Sequence, residues 1–168
     1  MLERLFPKQI DNRYQGYPFA IWVLASLVLI KFMMGLNVSG LNPWIDNRFI
    51  AQSVDRFPLD TYGAETASVV MFLFASWGLA LFALSLLGVV VLIRYRAMIP
   101  LMYLLLAIEQ FGRKAIATLH PIVRAEQAEG LSSAALINWA LMAALAIGFA
   151  LSLVSPRRSA PSDAAAEA

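Results

Sequence analysis

Long apolar runs constrain this chain more than any other feature of its sequence. Residues 18–36, 66–93 and 133–154 are each about 20 residues or longer and predominantly apolar. A helix rises about 1.5 Å per residue, so about 20 apolar residues cross the roughly 30 Å hydrocarbon core of a bilayer. Over the whole chain 60% of residues are hydrophobic and 14% are charged, whereas soluble domains average about 25% charged. The sequence therefore predicts an all-α integral membrane protein.

A fourth segment, residues 97–119, can cross a membrane only by taking charged side chains into it. Its first half is apolar, but its second half carries Glu109, Arg113 and Lys114, and it ends beside His120. An unpaired ionisable group in hydrocarbon costs several kcal/mol, so charges at this depth are expected to be paired and to mark a functional site.

The polar interval between the first two spans contains an amphipathic stretch. From Trp44 to Phe57, large apolar residues alternate with charged ones, and Asn42 followed by Pro43 suits the start of a helix. We expect a short helix lying in the headgroup layer, with an ordinary packed loop as the alternative.

The predicted architecture is a four-helix transmembrane bundle that forms a single domain over residues 1–154. Its elements are helices at about 17–37, 66–94, 97–119 and 133–154, an interfacial helix at about 43–57 in the first external loop, and a disordered cytoplasmic tail at 155–168.

Lysine and arginine residues near the helix ends predict the orientation. With four crossings, the N-terminal segment, the turn at 94–96 and the tail lie on one side and hold seven of these residues, whereas the other side holds three. Positive residues favour the cytoplasmic side, so we expect both termini in the cytoplasm, with the bundle in a bacterial inner membrane.

This topology places ionisable residues of two spans at one height. Lys31 lies about 20 Å above the cytoplasmic start of the first span, and Glu109 about 18 Å above the start of the third. We expect Glu109 to serve both Lys31 and Arg113, because two cations at this depth must share the one carboxylate. The complete predicted polar cluster, in the outer half of the bundle, is Lys31, Tyr103, Glu109, Gln110, Arg113, Lys114, His120 and Asn138.

Small residues recur every four positions along the fourth span. This spacing lets two helix backbones approach closely in lipid, although alanine is also abundant in this span. Besides membrane lipids, we expect a second copy of the chain or other membrane subunits as partners through this face. The residues of the stripe are Ala140, Ala144, Gly148 and Ser152.

Several classes of function find no support in the composition. The chain has no cysteine and one histidine, so neither a metal site nor a cofactor is expected. A net charge of +2 gives no indication of a nucleic-acid partner. Glu109 and His120 could form an acid–base pair on one helix face, but no nucleophile or phosphate-binding loop accompanies them, which argues against an enzyme.

Three hypotheses remain for the polar cluster. It could hold the helices together in a non-enzymatic accessory or assembly component of a membrane complex. Alternatively, its surplus of positive charge could bind a lipid, a quinone or a small anion. In the third hypothesis Glu109 carries protons in a small-solute transporter, which would have to act as an oligomer because four helices without repeat symmetry do not form a pathway alone.

Overall fold

The computed structural model describes residues 2–7, 9–121 and 133–154, and the regular structure of these residues is entirely helical. The predicted tail at 155–168 and the turn at 122–132 lie outside the described residues. The α-helices are α1 (Leu2–Leu5), α2 (Phe19–Val38), α3 (Asn47–Ser53), α4 (Ala64–Arg94), α5 (Ile99–Leu119) and α6 (Ser133–Leu153), with 3-10 turns at Leu59–Thr61 and Arg96–Met98.

Three of the four predicted spans correspond to candidate membrane-spanning helices of the structure. The helices α2, α4 and α6 are long and apolar enough to cross a membrane. Their outward faces carry large apolar side chains, and Trp22, Phe72 and Ile93 each have at least 70% of their surface exposed. Apolar surface on this scale requires lipid or a partner to cover it.

The helix α5 has the length of a span but not the composition of one. Its 21 residues reach about 31 Å, yet Glu109, Arg113 and Lys114 lie in its second half. It nevertheless runs beside α2 and in the same direction. The Tyr103 hydroxyl donates to the carbonyl oxygen of Ala20 at 2.6 Å near the start of both helices, and further along Gln110 reaches α2 as well.

The helices α2 and α4 pack backbone to backbone through glycines. A Cβ atom at Gly35 would lie 2.5 Å from the backbone nitrogen of Phe82, and one at Gly78 would lie 2.6 Å from the carbonyl carbon of Val38. Close approach of this kind favours association in lipid, where contact between helices depends on packing. The two helices therefore form the tightest pair in the bundle.

The start of the chain packs against the end of α6. Arg4 Nη1 donates to the carbonyl oxygen of Leu153 at 2.5 Å. The backbone N–H of Tyr17 donates to the carbonyl oxygen of Leu151 at 3.1 Å. Carbonyl groups in the last turn of a helix have no partner within the helix. These two hydrogen bonds satisfy two of them and tie the N-terminal segment to the bundle.

The helix in the first loop is shorter than the predicted 43–57. Asp46, not Asn42, caps α3, and its side chain accepts the backbone N–H of the second helical residue at 2.9 Å. The Asn42 side chain accepts a backbone N–H two residues later and forms a turn before the helix. The helix cannot continue to residue 57 because Arg56 has a φ of 57°. The long helices begin and end within two residues of the predicted positions, whereas α1 was not predicted.

The glycine contacts predict a position-dependent effect of alanine. Gly35→Ala should lower the unfolding temperature in detergent and cost about 1–3 kcal/mol, because the backbone of α4 must move away from the added methyl group. The control is Gly112→Ala in α5, whose Cβ would have no neighbour within 4 Å. It should be neutral or slightly stabilising, because alanine favours the helix. Equal effects of the two changes would contradict the close packing of α2 on α4.

Candidate functional site

Lys31 is a charged side chain in the interior of the bundle. It is the thirteenth residue of α2, and its spacing of seven from Leu24 and four from Gly35 places it on the helix face that packs inward. None of its surface is exposed. A buried ammonium group is tolerated only when other groups of the protein replace its hydration.

Adjacent residues of α5 supply those groups. Lys31 Nζ forms an ion pair with Glu109 Oε2 and donates to Gln110 Oε1 at 2.6 Å. On the other side of the carboxylate, Arg113 Nε lies 3.4 Å from Glu109 Oε1. That contact is within ion-pair range but lacks hydrogen-bond geometry, so both atoms are buried without a hydrogen bond among the described residues. Glu109 thus serves two cations, and the network keeps an excess of one positive charge.

Asn138 brings α6 into the same network. Its Oδ1 accepts from Gln110 Nε2 at 3.0 Å and from Arg113 Nη2 at 3.2 Å. Arg113 Nη2 also donates to Gln110 Oε1 at 3.2 Å. Side chains from α2, α5 and α6 are therefore connected in one hydrogen-bonded set.

A cavity of about 520 Å³ lies next to this network, and we call it the tryptophan cavity. It is bounded by the segment after α3 and by parts of α4, α5 and α6. Its lining combines polar side chains with apolar and aromatic ones. The polar lining includes Gln110, Arg113 and Asn138, and the apolar lining includes Phe74, Trp77 and Trp139.

Two cations of the cavity each lie over a tryptophan. The guanidinium carbon of Arg113 is 5.0 Å from the centre of the Trp77 ring, and Lys114 Nζ is 5.8 Å from that of Trp139. Both separations are in the range of cation–π attraction. The rings belong to α4 and α6, so the two neighbouring cations of α5 contact tryptophans of different helices.

The other residues of the predicted cluster lie outside the network. Tyr103 is buried in the apolar core two turns before Gln110, with its hydroxyl bonded to the backbone of α2. Lys114 is exposed and lines the tryptophan cavity without joining the hydrogen-bonded set. His120 follows the last residue of α5, is exposed, and also lines the cavity.

The small-residue stripe of α6 is divided between the inside and the outside of the chain. Gly148 and Ser152 are buried, Ala144 is half-buried and Ala140 is exposed. A Cβ atom at Gly148 would lie 2.5 Å from the ring of Tyr103, so this glycine makes room for α5 of the same chain. Association with another chain through this stripe stays a prediction, and only its first half is open to such a partner.

Sequence reasoning missed the aromatic side chains of the cavity and Arg56, which also lines it. A tryptophan near the end of a span is typical of the membrane interface, and Trp139 near the start of α6 could have been noticed for that reason. Trp77 lies in the middle of α4, and no local pattern marks it. Nor does any sequence pattern indicate that Arg56 lines a cavity together with residues of α4, α5 and α6.

Comparison with known protein families, curated proteins and solved structures finds no match. Within residues 2–7, 9–121 and 133–154, no cluster of three His, Cys, Asp or Glu side chains could hold a metal ion. The charge network and the cavity are therefore the features of the described chain that bear on its function.

Because Lys31 and Arg113 share the Glu109 carboxylate, removing the carboxylate should destabilise the protein more than removing the lysine. Glu109→Gln leaves Lys31 and Arg113 inside the bundle without a counter-charge and should cost about 3–5 kcal/mol of folding free energy. Lys31→Met should cost less, because Glu109 keeps Arg113. Asp60→Asn is the matched control, since Asp60 forms an exposed pair with Arg48 at 3.7 Å; it should cost no more than about 1 kcal/mol.

Denaturant or thermal unfolding of the purified protein in detergent measures all three variants. If Glu109→Gln lowered the free energy of unfolding no more than Asp60→Asn, the Glu109 carboxylate would not be the shared counter-charge of Lys31 and Arg113.

Proposed function

We propose that this small multi-pass membrane protein binds an anionic, partly apolar ligand in the tryptophan cavity. The observation that carries the proposal is the lining of this cavity, where Arg113 and Lys114 each lie over a tryptophan. Ligand sites in proteins are typically concave and mostly apolar, with a few fixed polar groups that orient the ligand. A cavity lined by two cations and by aromatic side chains fits an amphiphile with a negatively charged group and an apolar part.

The excess charge favours an anion over the other ligands that the sequence suggests. Lys31, Arg113 and Glu109 together carry a net charge of +1, and Lys114 adds another positive charge at the cavity. Electrostatic attraction is stronger where water is partly displaced, so an anion that contacts the half-buried Arg113 gains more than it would at a fully exposed cation. A neutral quinone could use Gln110 and Asn138 but would leave the excess charge unchanged.

The sequence also predicts a structural role or proton-coupled transport for the polar cluster, and both stay predictions. The network connects α2, α5 and α6 through Lys31, Gln110 and Asn138, so a structural role in an accessory or assembly component is compatible with ligand binding. Proton-coupled transport through Glu109 would need this carboxylate to exchange its partners during a cycle, and no feature of the described residues favours that.

We also propose that α5 is a fourth crossing, with both termini in the cytoplasm of a bacterial inner membrane. Two observations support this topology. The helix lies beside α2 from the level of Tyr103 to that of Gln110, and its carboxylate is paired with cations, which lowers the cost of placing it in hydrocarbon. The orientation follows from the distribution of lysine and arginine.

Cysteine labelling tests the topology cleanly, because the chain has no cysteine of its own. With four crossings, Val154→Cys should react with a membrane-impermeant maleimide from the same side as Gln9→Cys and from the side opposite to Thr61→Cys. If α5 does not cross, Val154→Cys reacts from the side of Thr61→Cys. Labelling of intact cells and of inverted membrane vesicles distinguishes the two results.

Ligand binding is tested with Lys114→Gln, which removes a cation of the cavity that is not part of the buried hydrogen-bonded set. Affinity for phosphatidylglycerol, measured by native mass spectrometry on delipidated protein, should fall about tenfold, because a hydrogen bond to a charged group contributes about 1.5–3 kcal/mol. The unaltered protein should have a lower affinity for zwitterionic phosphatidylethanolamine, and Lys114→Gln should change that affinity little.

Arg48→Gln is the control, since it removes a cation of the first loop that is paired with Asp60 and does not line the cavity. Equal binding of the two lipids by the unaltered protein, or an equal loss in the Lys114→Gln and Arg48→Gln variants, would contradict the proposal.

A further inference from the structure

Arg56 combines an unusual backbone conformation with a place in the tryptophan cavity. Its φ of 57° is the only positive value of a non-glycine residue in the part of the chain that the structure describes. This left-handed region is disfavoured for residues with a Cβ atom, and chains that leave a helix in this way usually use glycine or asparagine. Residues held in such conformations are found disproportionately at ligand-binding and active sites.

The end of α3 does not itself require an arginine side chain. The backbone N–H of Asp55 donates to Ile50 at 3.2 Å, and that of Phe57 donates to Ala51 at 2.9 Å. These bonds on either side of Arg56 involve backbone atoms alone, and glycine could form the same turn without strain. The identity of residue 56 therefore needs an explanation other than the turn.

The side chain of Arg56 is half-buried and lines the cavity together with Arg113 and Lys114. Asp55 is the acidic side chain in the described lining, and behind the cavity Lys31 and Glu109 cancel each other. Among the described residues of the lining, three cations and one carboxylate give a net charge of +2. A monoanionic ligand would offset half of this excess.

We propose that Arg56 is a ligand-binding residue of the tryptophan cavity and that, with Arg113 and Lys114, it selects a phosphate monoester. A phosphate monoester carries about 1.5–2 negative charges at neutral pH, which matches the excess, whereas a phosphodiester carries one. The planar guanidinium group can bind two phosphate oxygens at once, which a single point charge does less specifically. This inference rests on the proposed function, because it names the headgroup chemistry of the same site.

The same phosphate chemistry could come from a lipid headgroup or from a water-soluble metabolite. Phosphatidic acid and glycerol 3-phosphate carry the group in these two forms, and phosphatidylglycerol serves as the phosphodiester. Tighter binding of phosphatidic acid than of glycerol 3-phosphate supports a lipid source, because the apolar side chains of the cavity then contribute to the affinity. Comparable affinity of the two supports a soluble source. Either result keeps the phosphate monoester as the ligand.

The test is Arg56→Gly in the full-length protein. The unfolding temperature should stay the same or rise, because glycine accepts the positive φ. Affinity for phosphate monoesters should fall at least about tenfold, and the preference over phosphatidylglycerol should be lost, as expected when a bidentate contact is removed. Arg56→Asn, which also tolerates this conformation, is the second variant, and Arg48→Gln in α3 is the control.

Unchanged affinity and unchanged preference in a folded Arg56→Gly protein would overturn the assignment of Arg56. If Lys114→Gln still weakens binding of anionic lipid in that case, the proposed function stands and only the further inference fails. If the unaltered protein binds no anion, both fail together.

Discussion

The ion pair between Lys31 and Glu109 is the interaction on which the rest of the bundle depends. An ammonium group with no exposed surface in the middle of α2 cannot be hydrated, so a carboxylate must reach it from another helix. Only α5 supplies one in the described bundle, and α5 therefore has to lie beside α2. The carboxylate of Glu109 in α5 is in this sense required by a single residue of α2.

Much of this arrangement could be predicted from the sequence because hydrocarbon leaves few solutions. Apolar runs determine helix lengths, and the rise per residue places Lys31 and Glu109 at one height without knowledge of the neighbours. The pairing of helices could not be predicted in the same way. Whether Trp77 of α4 meets a cation of α5 depends on how side chains from distant segments pack, and the path of the chain after α3 depends on local capping by Asp46.

The stripe of small residues in α6 shows a second limit of sequence reasoning. Spacing alone identifies a face that allows close approach, but it does not say whether the approaching group belongs to the same chain. Gly148 is small because the Tyr103 ring occupies the adjacent space, and Ala140 at the other end of the stripe faces outward. One periodic pattern thus serves the interior of the bundle and its surface.

The distance along the chain between the two ion-pair partners has a consequence for biosynthesis. Lys31 and Glu109 are 78 residues apart, and at about 5–20 residues per second the ribosome needs roughly 4–16 s to make the intervening chain. During that interval α2 carries the Lys31 ammonium group without the Glu109 carboxylate that later pairs with it. The flexible stem of the lysine can keep its amine near the headgroups until α5 arrives. The ion pair can form only after α5 has been made, so the amine reaches its buried position late in assembly, when Glu109 becomes available.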